Sequence, residues 1–205
     1  MRAPVRTVLY GLAEPSQAVE AAQLGIDAVV VAVGEGPPPA VPPAAARRIA
    51  AALPPLVGRF AWMAEKGRRL PGGFAAAVVP VGGDRPPGAA VALARVPHEA
   101  ARAERIPDWA DGLWIEPAPR GSATATRFDF HRIERLARLR PVMLEIPDGA
   151  AGVEVAIRLG RPHGVVFGPA VWFRPGIVDL EKLERAVEVV TRLNRRLAEE
   201  RPPGF

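Results

Sequence analysis

Apolar runs of strand length alternate with stretches of helical spacing along the whole chain. The runs predict eight strands: Val5–Tyr10, Ala28–Val33, Val57–Met63, Ala76–Val81, Ala90–Val96, Gly112–Glu116, Pro141–Ile146 and Gly164–Gly168. Most are continuously apolar, as strands covered on both faces must be. Helical spacing marks Ser16–Leu24, Pro43–Ala52, His98–Arg105, Phe128–Leu139, Gly149–Leu159 and Leu180–Arg201. In the last of these, Leu180, Leu183, Ala186, Val187, Val190, Leu193 and Leu197 form one apolar stripe. Ser16 is expected to help start the first helix, and Gly25 to stop it. Strands interleaved with helices over 205 residues predict an α/β fold, a small (β/α)8 TIM barrel spanning residues 1–205 as a single domain.

The alternation fails in the middle. Only "GGDRPPGA" separates the strands ending at Val81 and starting at Ala90, and its prolines and glycines cannot form a helix. Eight extended residues, at about 3.3 Å each, can still span one short strand. The fourth helix is therefore expected to be missing. The third is expected to be shortened, because "AEKGRRLPGGF" breaks after one or two turns. Thinning this side should expose apolar strand faces, notably Val79 and Val81 or Ala92 and Val96. A second copy would cover them in a homodimer. The stretch "GEGPPPAVPP" (34–43) reads as a βα loop on the upper rim, not as a linker.

Composition narrows the class. There is no cysteine, which removes disulfides, thiolate nucleophiles and cysteine metal sites and suits a cytoplasmic protein. No apolar run is long enough for a membrane span, and no charged-then-apolar leader opens the chain. Of 27 basic residues only Lys66 and Lys182 are lysine, and proline is abundant, as in thermophile loops. The net charge of +5 raises nucleic acid as a partner. The arginines are scattered at helical spacing (Arg47, Arg48, Arg135, Arg138, Arg195, Arg196), which reads instead as solvated helix faces.

Read in order, "VRTVLYGLAEPSQAVEAAQLGIDAVVV", "PPAAARRIAAALPPLVGRFAWM", "VVPVGGDRPP", "FDFHRI", "RLGRPHGVVFGPAV" and "RPGIVDLEKL" are colinear with the conserved segments of one family. The chain resembles the phosphoribosylanthranilate isomerases of tryptophan biosynthesis over nearly its whole length. The resemblance implies a barrel with its site at the C-terminal strand ends. It also implies an Amadori rearrangement, in which an aminoaldose phosphate opens and becomes an aminoketose phosphate. That chemistry needs a general acid to open the ribose ring and a general base at C2.

In the family a cysteine after the first strand and an aspartate after the sixth supply these groups, with a rim arginine at the anthranilate end. Here Tyr10 stands at the cysteine's position, and a phenol is a poor base at neutral pH. Simple register puts Ile115 at the acid's position with Glu116 next to it, and the arginine's place falls near Pro39. The phosphate loops depart in the same direction. The glycine-rich loop after the sixth strand is "SATA" (122–125). The seventh is "EIPD" (145–148), and the eighth is "GPA", with Pro169 among the expected amide donors.

The predicted mouth keeps Tyr10, Trp62, Arg95, Trp114, Glu116, Glu145, Gly168 and Trp172. One reading is a remodelled pocket for a small molecule at the C-terminal barrel face. Its aromatics would stack a flat ligand while Arg95 and the glutamates fix polar groups. The other is a plug: aromatics fill a redundant cavity, Arg95 pairs with Glu116 or Glu145, and the isomerase reaction is lost. In a third, Glu116 and Tyr10 keep a sugar isomerisation running. His98, His131 and His163 stand alone, without metal-ligand spacing, and no dinucleotide or Walker loop occurs, so neither metal nor cofactor is expected.

Overall fold

A computed structural model describes residues 3–34, 39–65, 67–97, 106–118 and 128–200. Its first nine strands are β1 (Arg6–Tyr10), β2 (Ala28–Val33), β3 (Ala40–Val41), β4 (Gly58–Met63), β5 (Ala76–Pro80), β6 (Val91–Val96), β7 (Gly112–Ile115), β8 (Val142–Glu145) and β9 (Gly164–Phe167). All but β3 join in one closed parallel ring, β1 pairing with both β2 and β9. The architecture is a small (β/α)8 barrel. All eight predicted strands are present, each within a residue or two of its expected limits. The short β3 pairs with the top of β2, at Ala32 and Val33, above the point where β1 ends.

Continuous apolarity has the expected cause. On β2, Ala28, Val30 and Ala32 face the barrel interior, while Val29, Val31 and Val33 face the outer layer. Both sides are dry, so every residue of the strand is buried. Outside the ring lie α1 (Pro15–Gln23), α2 (Pro43–Ala52), α3 (Phe130–Leu139), α4 (Ala150–Val155) and α5 (Leu180–Glu199). The apolar stripe of α5 is buried at Leu183, Ala186, Val187, Val190 and Leu193. Asp129 and Asp179 start α3 and α5 by accepting the backbone N–H of Arg132 and Lys182. Ser16 does no such work: Glu14 is the N-cap residue of α1, Pro15 opens the helix, and no side chain caps it. Gly25, at φ 94°, follows the end of α1 as expected. The predicted helix over His98–Arg105 lies outside the described residues.

The thinned side behaves differently from expectation. The third connection holds no helix among its described residues, rather than a shortened one, and the fourth holds none. Yet the strands beneath are covered. Val79 is 3% exposed, Ala92 0% and Val96 3%. Only Val81 is half-buried. Leu70, Phe74, Ala89 and Trp109, from the irregular segments, pack into the same cluster as Val79. Arg85 fastens this cover. Its guanidinium donates to the carbonyls of Trp109 at 3.1 Å and Ala90 at 2.8 Å, and meets Asp111 at 2.9 Å. One side chain thus satisfies backbone carbonyls of two different connections. Among the described residues, the strand positions expected to be exposed on this side are covered, with Val81 half-buried, and do not themselves form an open apolar face.

Helix-surface arginines pair along their own helices, Arg138 with Glu134 and Arg158 with Glu154, both at 3.0 Å. Among the described residues no helix is long and apolar enough to cross a membrane.

The first βα turn is fixed by Gly11. Its φ of 90° lies in the left-handed region, and a Cβ there would overlap the Trp172 indole. Gly11→Ala should lower unfolding free energy by about 2 kcal/mol or more, through backbone strain and overpacking. Chemical denaturation of the two proteins measures this, and a difference within error would show that Trp172 does not depend on that turn.

Candidate functional site

The mouth is built from the inward positions of five strand ends. On a strand, side chains alternate between interior and exterior. On β6 the interior takes Leu93 and then Arg95, and on β7 it takes Trp114. Ile115 accordingly points outward into the helix-facing layer, fully buried. Glu116, the next residue, turns in. Of the two candidate positions it is Glu116, not Ile115, whose side chain meets Arg95 inside the mouth. Glu116 is not an outward, solvated carboxylate.

Arg95 is the centre of the site. Its side chain is 14% exposed, and its Nη2 lies 2.7 Å from Glu116 Oε1 and 3.5 Å from Glu145 Oε2. The guanidinium carbon also lies 4.9 Å from the Trp62 ring centre, 5.4 Å from that of Trp114 and 5.5 Å from that of Tyr10. Three aromatic faces and two carboxylates therefore surround one permanent cation. Arg95 Nε and Trp62 Nε1 are buried without a partner.

The rings also hold one another. Tyr10 packs edge-on to Trp114 at 5.4 Å and to Trp62 at 6.0 Å between ring centres, and tilts against Trp172 at 5.9 Å. Trp114 donates its indole N–H to Glu145 at 2.9 Å. Trp172 donates to the Tyr10 carbonyl at 3.0 Å. Trp172 arrives through elements that the sequence pattern did not reveal. A 3-10 turn at Pro169–Val171 leads into β10 (Trp172–Arg174), which pairs antiparallel with β11 (Ile177–Val178). Both strands are too short for periodicity to register. Pro39 packs beside Gly176, in the turn of that hairpin.

Two ionisable groups are displaced by this setting. Burial pushes the Glu145 carboxyl above the usual carboxylate range, against the pull of Arg95 and the Trp114 hydrogen bond. Burial likewise raises the Tyr10 phenol, with Arg95 opposing. A phenol raised above its ordinary value stays protonated at neutral pH and offers no base.

Several of the amide donors that would grip a phosphate are committed or lost to proline. After β9, Pro169 has no N–H, that of Val171 goes to the Gly168 carbonyl at 3.0 Å, and that of Trp172 to the Pro169 carbonyl. After β8, the Ile146 N–H stays in the ladder with Val166 at 2.9 Å, and Pro147 has none. Gly168 lies beside Tyr10 and Glu145, and a methyl group there would make ordinary contact with both. The loop "SATA" (122–125) lies outside the described residues. Among the described residues no group of His, Asp and Glu side chains could hold a metal ion.

No protein-family model matches the chain, and no curated protein sequence does. Solved structures match its fold. Phosphoribosyl anthranilate isomerase from Thermotoga maritima superposes with a TM-score of 0.73 at 20% identity, covering 92% of this chain and 99% of that one. The isomerase from Thermus thermophilus gives 0.73 at 22%, covering 92% and 100%. Thiamine phosphate pyrophosphorylase from Pyrococcus furiosus gives 0.62 at 15%, covering 92% and 96%. At these identities the likeness is one of fold.

Removing Arg95 would leave two carboxylates facing each other in an apolar mouth. Arg95→Met should cost about 3 kcal/mol at neutral pH, and less in acid, where Glu145 can take up a proton. Adding Glu116→Gln and Glu145→Gln to it should restore most of the loss, which denaturant melts of the variants will show. Glu145 alone sets a second expectation. Its pKa is higher folded than unfolded, so its favourable contribution is complete below the ordinary carboxylate range and lost as pH rises through the folded value. Glu145→Gln should flatten that part of the stability-against-pH curve. An unchanged slope would show that the carboxyl is not desolvated as described.

Proposed function

We propose that this chain is a barrel of the phosphoribosylanthranilate isomerase type that no longer catalyses the isomerisation and serves as a non-catalytic binding or structural protein. One observation supports this reading: Arg95 is held between Glu116 and Glu145 among three aromatic rings at the C-terminal strand ends, where the resemblance would have a sugar react. An Amadori rearrangement needs an acid and a base free to reach the substrate. The nearest carboxylates are tied to Arg95, and the residue at the base's position is a protonated phenol. Each positioned acid or base contributes roughly 10²- to 10⁴-fold in rate, so losing both removes on the order of 10⁴-fold or more. The amides spent in the turn after β9 act in the same direction, against a phosphorylated substrate.

A second reading has one observation in its favour. Glu145, held in an apolar setting with a raised pKa, has the character of a general acid, and Glu116 turns inward beside it. If a substrate carboxylate drew Arg95 away, Glu116 and Tyr10 would line an open sugar-isomerase site. A coupled fluorescence assay with phosphoribosylanthranilate decides between the two. We expect no turnover above the buffer rate. Turnover that disappears in Glu116→Gln would replace the first reading with the second.

A further inference from the structure

The packed mouth fills only the upper part of the barrel. Beneath Trp114, a cavity of about 330 Å³ opens at the opposite, N-terminal face. Its origin lies in the sequence. Ala28 and Gly58 occupy inward positions at the starts of β2 and β4, two residues before Val30 and Phe60, and both line the cavity. Barrel interiors of this kind are ordinarily filled by layers of branched side chains. Here the lowest layer has almost none, and the space remains open.

The walls state what could occupy it. Val30, Phe60, Leu93, Trp114 and Met143 line the interior. The charged pair at the rim is internally satisfied: Arg6 meets Asp27 at 2.9 Å, and Asp27 also accepts the Thr7 backbone N–H at 2.7 Å. No uncompensated charge faces inward, so an anion or cation would lose its hydration without return. Leu56 stands at the opening with 98% exposure, an apolar lip. The volume falls in the range of small-molecule pockets. An apolar lining of this kind favours uncharged guests over ions.

We propose that the N-terminal end of the barrel is a binding site for a small, uncharged aromatic or branched hydrocarbon-like molecule. Phe60 and Trp114 offer ring faces, and the Met143 thioether offers an adaptable wall. Trp114 is shared between the two ends, since its indole N–H reaches up to Glu145 while its ring roofs the cavity. The site does not depend on whether the upper mouth is catalytic.

Methyl NMR on methionine-labelled protein tests this directly, with toluene as the probe. Met143 lines the cavity, whereas Met63 is buried in the outer layer. Toluene should shift the Met143 methyl saturably and leave Met63 in place, and inorganic phosphate should move neither. Ala28→Leu, which fills the cavity from β2, should weaken toluene binding by about tenfold or more. If that variant does not fold, the contrast between the two methyls in the unaltered protein decides. Three outcomes overturn the proposal: no saturable Met143 shift up to the solubility of toluene; equal shifts at both methyls; or an unresponsive Met143 in a protein that sediments as a dimer and is made monomeric by Leu56→Ser, which would assign the cavity to a second copy.

Discussion

A guanidinium held between two carboxylates organises the upper barrel. Arg95 carries a charge that cannot be neutralised, and β6 delivers it inward at the height where the strands end. Burying it requires compensation, and the neighbouring strand ends supply that as Glu116 and Glu145. The cluster in turn needs walls that exclude water and tolerate a cation, which are the rings of Tyr10, Trp62 and Trp114. Tyr10 is held against Trp172, and Trp172 fits only because residue 11 has no side chain. Each element of the mouth is the condition for the next. A tyrosine at the end of the first strand is thus the wall of a cage that the protein fills for itself.

Much of the fold was legible because burial on both faces leaves an unmistakable trace: apolar runs with no polar alternation, as at Ala28–Val33 and Gly164–Phe167. Prolines and glycines foretold the missing fourth helix for an equally direct reason. The hairpin carrying Trp172 was not legible, because strands of two or three residues have no period to detect and their pairing is set by tertiary contacts. The cover over Val79 and Ala92 was missed because irregular chain can bury a strand as well as a helix can. What matters is that Leu70 and Phe74 reach it and that Arg85 satisfies the exposed carbonyls. In the site, an ion pair of Arg95 with a glutamate was readable from neighbouring strand ends. Its double carboxylate partner and triple aromatic enclosure required the barrel's curvature. The inward turn of Glu116 was hidden by a one-residue register ambiguity, which always exchanges the two faces of a strand.

Function in such barrels is decided by what stands at the strand ends rather than by the ring of strands. The same architecture superposes on a phosphoribosyl anthranilate isomerase and on a thiamine phosphate pyrophosphorylase. Among the described residues, side chains fill the space at the strand ends and a cavity opens at the strand starts. Space that a barrel ordinarily keeps at its C-terminal face has been filled with aromatic and charged side chains, while small residues at the opposite face, Ala28 and Gly58, border an apolar cavity. Trp114 is the partition between the two halves.

The enclosure of Arg95 can be read from the NMR resonances of its own side chain. Three aromatic faces should move its Hδ and Hε signals upfield, and the buried Nε–H should exchange slowly with water at neutral pH and stay unchanged when phosphate is added. A side chain with unshifted, rapidly exchanging signals, or one that responds to phosphate, would mean that the mouth is open and that the guanidinium is available to a substrate.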